Sequence, residues 1–373
     1  MSSLPEPDAD RLSEWLVGSA GWPIRGLSLE LLTGGRSCLT YLLTDREGRR
    51  LVLRRPPAGE LVAGAHDVLR EARIISALAG TGVPVPRVLG VAVDTHICGA
   101  PFYVMEFVAG PVLHEAGEVA EFLAHGGDGS MVWDGMVDVL AALHGVDLAG
   151  TGLASLSKPS GYLDRQLRRW WSQWDPERNV EVPGMGELYA WLSAHRPAET
   201  RPTVVHGDFR LGNIVHSASG AVRAVLDWEL CTLGEPQSDL AYMLRYRQLG
   251  AGAALGGRTA DQIAARYARL SGKSLDDLPY WMAFNAWRSA LIAEGVRRRA
   301  LQAPARDMML VRETAQKVAD AVESGLGYAA GALRASSRRG RYLACVMTGW
   351  AAGRRPGRSR TGHCAGCGPA GRS

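Results

Sequence analysis

The sequence predicts an α+β chain of two lobes, a small antiparallel-sheet N-lobe followed by a mainly helical C-lobe. Three observations carry that reading. Short apolar runs separated by Gly-rich or charged turns fill Leu27 to Phe107, the pattern of an antiparallel meander. From about Glu118 the apolar spacing becomes helical. One segment, VVHGDFRLGNIVHSASGAVRAVLDWELC, interrupts the helices, and its β-type runs Thr203–Val205 and Val222–Leu226 read as two paired strands, each delivering an Asp.

In chain order, an amphipathic stretch (Asp10, Leu12, Trp15, Leu16) reads as a short lead-in helix ending near Gly21. Strands follow at Leu27–Leu32, Leu39–Thr44 and Arg50–Arg54, with turns at Thr33–Ser37 and Asp45–Gly48. Leu69, Ala72, Ile75 and Leu78 mark a helix over Val68–Leu78. Val88–Val93 and Pro101–Phe107 complete five strands, and Gly110-Pro111 breaks the pattern. We therefore divide the chain into a lead-in (1–24), an N-lobe (25–108), a C-lobe (109–333) and an Arg/Gly-rich tail (334–373).

The formal charge of +4 is misleading. Arg334 to Ser373 holds nine Arg and no acidic residue; taking those nine from 42 basic residues leaves 33 against 38 acidic, a body at −5. The tail has little aliphatic content after Val346, so it is expected to lack regular structure. His363, Cys364 and Cys367 resemble the start of a zinc site, but a lone Cys-x-x-Cys without a second pair is weak evidence for one. A basic arm and a functionless end are the other readings of the tail. Isolated Cys38, Cys98 and Cys231 are expected reduced and buried. With neither a signal peptide nor a charge-free run of about 20 apolar residues, the expected setting is cytoplasmic, away from membranes.

Asp208, Asn213 and Asp227 carry the chemistry. Phosphoryl transfer from ATP needs a carboxylate facing the acceptor hydroxyl, plus an amide oxygen and a second carboxylate holding Mg²⁺ against the phosphates. These residues supply those groups in that order. Asp208 alone could merely stabilise a turn, yet a turn does not explain Asn213 and Asp227 as well. His206 reads as structural, bonding loop backbone. Asp239 reads as a helix N-cap that also holds the catalytic loop.

Gly34, Gly35, Arg36 and Ser37 lie between two strands, where a hairpin turn and a phosphate-covering loop are both open readings. One strand later Arg54, paired with Glu71, is the candidate cation for the phosphates. Arg55 stands beside it, and strand alternation leaves open which arginine points inward. Met105, Glu106 and Phe107 form a connector whose backbone could meet an adenine edge; core packing is the plainer fate of the two apolar side chains. Arg168-Arg169-Trp170-Trp171-Ser172-Gln173-Trp174 reads as a helix packing its Trp face on the large lobe, and no nucleic acid is expected as a partner. Arg288 to Arg299 reads as a helix with a cationic side, a candidate for the acceptor end of the cleft.

His206-Gly207-Asp208 with Asn213, Leu226-Asp227-Trp228 and Ser238-Asp239-Leu240-Ala241 resemble the aminoglycoside phosphotransferase family, which shares the protein-kinase-like fold. The resemblance covers roughly Leu27 to Gly325. It implies Asp208 as catalytic base, Asn213 and Asp227 as Mg²⁺ ligands, and ATP as donor, with GTP left open. Gly34–Ser37, Val52–Pro57, Glu71–Ile75, Arg168–Trp171 and Trp228–Leu230 further resemble the kinase domain associated with acyl-CoA dehydrogenases. That branch implies a hydroxyacyl-CoA as acceptor and a functional link to such a dehydrogenase. An aminoglycoside acceptor, or a kinase-like protein that binds nucleotide or acyl-CoA without turnover, are the alternatives. The phosphate-holding Lys of many kinases is Arg here, which stays charged and grips phosphate bidentately.

Overall fold

The computed structural model describes residues 7–18, 20–24, 26–32, 38–57, 67–156, 160–174, 182–303 and 307–351, with side chains to residue 332. Helix α1 (Ala9–Gly18) precedes strands β1 (Ser28–Leu31), β2 (Leu39–Thr44) and β3 (Arg50–Arg55). Helix α2 (Val68–Leu78) and strands β4 (Val88–Ala92) and β5 (Phe102–Glu106) complete the first part. The five strands form one antiparallel sheet in the order β1-β2-β3-β5-β4. The α2 bounds coincide with the periodic stretch in the sequence because Asp67 caps it, its side chain accepting from the Arg70 N–H at 2.9 Å.

Strand alternation sorts the sheet into two faces. Leu51, Leu53, Phe102 and Val104 form an outer core with Leu12 and Leu16 of α1, which are fully buried. Burying each of those two leucines contributes roughly 1.5–3 kcal/mol. Val52, Tyr103 and Met105 face the other way and pack with Val68, Ala72, Ile75 and Leu78 of α2. That inner core runs on without a break into the helical part, so the two lobes read from the sequence share one apolar core.

The helical part contains α3 (Ala116–Ala124), α4 (Gly129–His144), α5 (Tyr162–Trp171), α6 (Met185–Ala194), α7 (Pro236–Arg247), α8 (Gly250–Leu255), α9 (Ala260–Ser271) and α10 (Leu278–Gln302). Two small antiparallel pairs sit among them. β6 (Thr203–Val205) pairs with β9 (Thr232–Gly234), and β7 (Ile214–His216) pairs with β8 (Val222–Val225). The expected pairing of Thr203–Val205 with Val222–Leu226 is therefore incorrect. Thr203–Val205 takes β9 and Val222–Val225 takes β7, three-residue runs too short to register as strands in the sequence. Trp171 of α5 stacks on Tyr189 of α6, centroids 4.0 Å apart, so the Arg-Trp run packs on the helical lobe.

The connector between the lobes is pinned to β7. The His216 N–H donates to Pro111 O at 2.9 Å and Val112 bridges Val215. Gly110 has φ of 153°, and a Cβ there would lie 2.0 Å from His216 O, so only glycine fits. His216 is fully buried, its Nδ1 3.3 Å from Gly220 O and its Nε2 without a partner. Burial pushes its pKa down to about 4 from the usual 6.5. The unfolded chain therefore takes up a proton below pH 6.5 that the folded chain refuses until about pH 4. Stability supplied by neutral His216 is present above pH 6.5 and lost as pH falls toward 4, about 3 kcal/mol in all. Urea unfolding at pH 7 and pH 4.5 should show this slope in the native chain and lose it in His216→Asn. Parallel curves for the two proteins would refute the assignment.

Met1–Ala329 form one compact unit and Ala330–Ser373 a second. Helix α11 (Met308–Ala351) gives Arg334–Ala351 helical backbone, where composition suggests no regular structure. That stretch contains no Pro and is well supplied with Ala and Arg, which favour helix. His363, Cys364 and Cys367 lie outside the described residues. Among the described residues Cys38, Cys98 and Cys231 are free and buried, and no helix is long and apolar enough to cross a membrane.

Candidate active site

The loop after β6 is built around one buried carboxylate. Asp239 accepts the His206 N–H at 2.6 Å and the Gly207 N–H at 2.9 Å, one on each oxygen. Burial pushes its pKa upward, but the hydrogen bond from His144, the nearby charge of His144 and His206, and the Gly207 N–H hold it below the usual carboxylate range. Asp239 is not the cap of α7: the helix opens at Pro236 behind Glu235, and Asp239 sits in its first turn. Pro at the first helical position moves the start upstream of the point read from the sequence. Gly207, φ 85°, lies against Leu230, whose carbonyl oxygen would be 2.9 Å from a Cβ. His206 Nε2 is 2.9 Å from Leu226 O, and its Nδ1 accepts the Asp208 N–H at 3.2 Å. His206 thus braces the loop, as its sequence position suggests.

Asp208 emerges from this frame with both oxygens engaged. Asn213 Nδ2 donates to its Oδ2 at 2.7 Å and to its backbone carbonyl at 2.9 Å. Tyr242 of α7 donates its hydroxyl to Oδ1, and Arg210 Nε reaches Oδ2 at 3.3 Å. The carboxylate keeps 18% of its surface exposed. It is oriented, not buried.

Asp227 follows β8 at φ 64°, and among the described residues it is the only non-glycine with positive φ. A non-glycine in that region costs roughly 1–2 kcal/mol, and such strain clusters at functional sites. Its Oδ1 meets Arg54 Nη2 at 3.2 Å, while Arg54 Nη1 meets Glu71 Oε1 at the same distance. Glu71 Oε1 also accepts the Trp228 N–H at 3.2 Å. Arg54 is thus the inward arginine. Arg55 points to the outer core, donating to Tyr41 Oη at 2.9 Å and to Cys98 O. Register explains the difference: Arg54 shares the inner face with Val52, and Arg55 the outer face with Leu53.

Glu71 is 2% exposed, and burial pushes its carboxyl up to about 7 against the pull of Arg54. Burial likewise opposes the charge on Arg54, and Glu71, Tyr103 and Asp227 more than offset it. The guanidinium is therefore what keeps the Glu71 carboxyl from rising further. Arg54→Ala should destabilise the fold by about 3 kcal/mol, because it leaves a buried carboxylate without its counter-ion. Glu71→Gln in the same chain should recover part of that loss, a coupling of about 1–3 kcal/mol in a double-mutant cycle by urea unfolding. Additive losses would show that the pair does not act as a unit.

The remaining nucleotide candidates are divided. Gly34, Gly35, Arg36 and Ser37 lie outside the described residues. Met105 is buried, and Phe107 lies under the Arg50 guanidinium, 4.1 Å from its ring centroid. The Glu106 carboxylate takes Arg87 at 2.9 Å, and its N–H already donates to Arg87 O, which removes that donor from any adenine contact.

Asn213 and Asp227 fit a hard cation. Asn213 uses its nitrogen on Asp208, which leaves the amide oxygen as a ligand, and the Asp227 carboxylate is one-third exposed. Among the described residues no group of three His, Cys, Asp or Glu forms a closed metal cage. Mg²⁺ needs none, since it takes one or two carboxylates and completes its shell with water and phosphate oxygens.

Sequence reasoning missed Tyr242 as a neighbour of Asp208 and gave Arg288 only as the start of a cationic helix at the acceptor end. Tyr242 stands three residues after Asp239 on α7, a relation visible only once the helix is placed. Arg288 of α10 donates to Gly207 O at 2.7 Å, with its guanidinium over the Tyr242 and Trp170 rings. Its Nε is buried without a partner.

The model of the phosphotransferase enzyme family (APH) matches residues 28–274. Acyl-CoA dehydrogenase family member 10 of Mus musculus is 36% identical over 308 residues, 78% of this chain; the chain spans only 28% of that protein's length. A crystal structure from Ralstonia eutropha bearing the aminoglycoside phosphotransferase name is 31% identical, with a TM-score of 0.75 over 87% of this chain and 99% of that one. The GDP complex of aminoglycoside 2'-phosphotransferase-IIIa shares the fold at a TM-score of 0.58 and 16% identity, over 85% of this chain and 99% of the other. With the family model spanning both the sheet and the Asp208–Asp227 segment, the chain belongs to the phosphotransferase enzyme family.

Proposed function

We propose that the chain is a small-molecule kinase that transfers the γ-phosphoryl group of ATP, with Mg²⁺, to a hydroxyl of a hydroxyacyl-CoA. The observation that supports this most is the meeting of two segments: Asp208, held at both oxygens, is bonded by Asn213, whose backbone carbonyl accepts the Leu226 N–H at 2.8 Å beside the strained, part-exposed Asp227. Asp208 accepts the proton of the acceptor hydroxyl as the hydroxyl oxygen bonds to the γ-phosphorus and the bond to the β-phosphate oxygen breaks, releasing ADP. Asn213 Oδ1 and the Asp227 carboxylate hold Mg²⁺, whose charge offsets that of the phosphates. Arg54, ordered by Glu71, turns to the α- and β-phosphates. Arg288 donates to Gly207 O and keeps the loop in place from the acceptor side.

The acceptor follows from charge and kinship. Buried Arg288 beside Asp208 disfavours a polycationic aminoglycoside and suits an anionic thioester. The name of the mouse relative points to acyl-CoA chemistry, with a cytoplasmic dehydrogenase as functional partner. The test is Mg²⁺-dependent transfer from labelled ATP or GTP to panels of hydroxyacyl-CoAs and aminoglycosides. Phosphorylated hydroxyacyl-CoA is the expected product. Transfer only to aminoglycosides would replace the acceptor, and nucleotide binding without transfer to any alcohol would leave a binding protein.

A further inference from the structure

A second concave site lies beyond the catalytic loop. A cavity of about 290 Å³ opens between the residues that follow α5 and the last turns of α10. Gln173 and Trp174 line one side; Glu294, Arg298, Arg299 and Gln302 line the other. The charge inside is not balanced. Arg297 grips both oxygens of Glu294 at 2.6 and 2.7 Å, which neutralises the one carboxylate among the described lining residues. Among the described residues neither Arg298 nor Arg299 has an ion-pair partner, so the cavity is cationic.

Helical spacing connects this cavity to Asp208. Arg288, Leu291, Gly295, Arg298 and Gln302 recur every three or four residues and share one face of α10. At about 1.5 Å per residue, Arg298 lies about 15 Å along the axis from Arg288, which touches the catalytic loop. The aromatic side runs parallel. Trp170 lies over Arg288, and Trp171 stacks with Trp174 at 6.2 Å. One helix face therefore has a reacting end and, further along it, a cationic aromatic end, the arrangement an extended ligand with a remote anionic head requires.

We propose that this cavity seats the nucleotide end of a CoA thioester. Arg298 and Arg299 take its phosphates, Trp174 packs on the adenine, and Gln173 and Gln302 hydrogen-bond its polar edges. The assignment rests on the reading of the acceptor as a hydroxyacyl-CoA. The size is in keeping with it: about 290 Å³ is at the low end of ligand cavities, enough for one head group while the acyl arm runs along α10 to Asp208.

Calorimetric titration with CoA itself, which needs no turnover, tests the cavity on the full chain. Arg298→Ala/Arg299→Ala should weaken CoA binding at least tenfold and leave ATP affinity unchanged, the latter showing that the variant is folded. The same variant should raise KM for hydroxyacyl-CoA by a similar factor at constant kcat. A hydroxyacyl-pantetheine, which lacks the nucleotide end, should respond equally in both proteins. Undiminished CoA binding in the variant would overturn the cavity, as would equal KM for the pantetheine and CoA esters in the native chain; both leave the acceptor hydroxyl intact. Arg298-dependent CoA binding without phosphorylation of any hydroxyacyl thioester would keep the cavity and sink the acceptor reading instead.

Discussion

Asp208→Asn should lower kcat by roughly 10³-fold, within the 10²–10⁴ range by which a positioned general base contributes. The amide has nearly the shape of the carboxylate but cannot take the acceptor proton. It also meets a changed set of partners. Asn213, Tyr242 and Arg210 all donate to Asp208, so the new NH₂ group faces donors on whichever side it turns. A cost of about 1 kcal/mol in stability is expected from that mismatch. ATP affinity should be unchanged, because no proposed phosphate or metal contact is removed. Asp208→Glu keeps the charge but displaces it by about one methylene, and a shift on the order of 1 Å costs about 10²-fold in a site that depends on alignment. Single-turnover transfer from labelled ATP separates these outcomes. An Asp208→Asn enzyme with more than a tenth of the native rate would remove Asp208 from the chemistry.

The second large effect divides activity from stability. Asp227→Gly should lower kcat by roughly 10²- to 10³-fold, the loss expected when one electrostatic contact to the reacting phosphates disappears. It should also raise the Mg²⁺ concentration needed for half-maximal rate. Thermal stability should change little, because relief of the left-handed backbone offsets the lost contact to Arg54. The residue has φ 64° and ψ 65°, which glycine adopts without the penalty of a Cβ. Asp227→Ala should lose activity similarly and be about 1–2 kcal/mol less stable than Asp227→Gly, since alanine keeps the Cβ and loses the carboxylate. Melting curves of the three proteins check the order. If the glycine variant is the least stable of them, the left-handed backbone is held for structural reasons and the functional argument from strain fails.

Much of this site was legible before any fold was known. Asp208, Asn213 and Asp227 stand out because three polar groups of the right kind interrupt apolar runs at short range; in the structure Asn213 bonds Asp208 and accepts the Leu226 N–H at 2.8 Å, while Asp227 meets Arg54, itself paired with Glu71. The α2 helix was legible because its apolar spacing and Asp67 cap are local properties. The resemblance of the His206–Asp208, Asp227 and Asp239 segments to a family carried the fold class, and the family model agrees.

What remained hidden involves long-range partners. α7 is buried from Pro236 to Arg245; a helix enclosed on all sides has no polar face, so its sequence shows no amphipathic period. Its start, and with it the place of Tyr242 against Asp208, could not be read. Arg54 and Arg55 are adjacent cations with equal claims until the pairing of β3 with β2 and β5 assigns them to opposite faces. The strand partners of the Asp208–Asp227 segment were mistaken because pairing depends on which strand is near in space, and β7 and β9 are too short to announce themselves. The sequence by itself determined which groups are candidates for the chemistry and in what order they come. Only the tertiary structure decided which of them meet, because burial, strand register and helix packing depend on residues far apart in the chain.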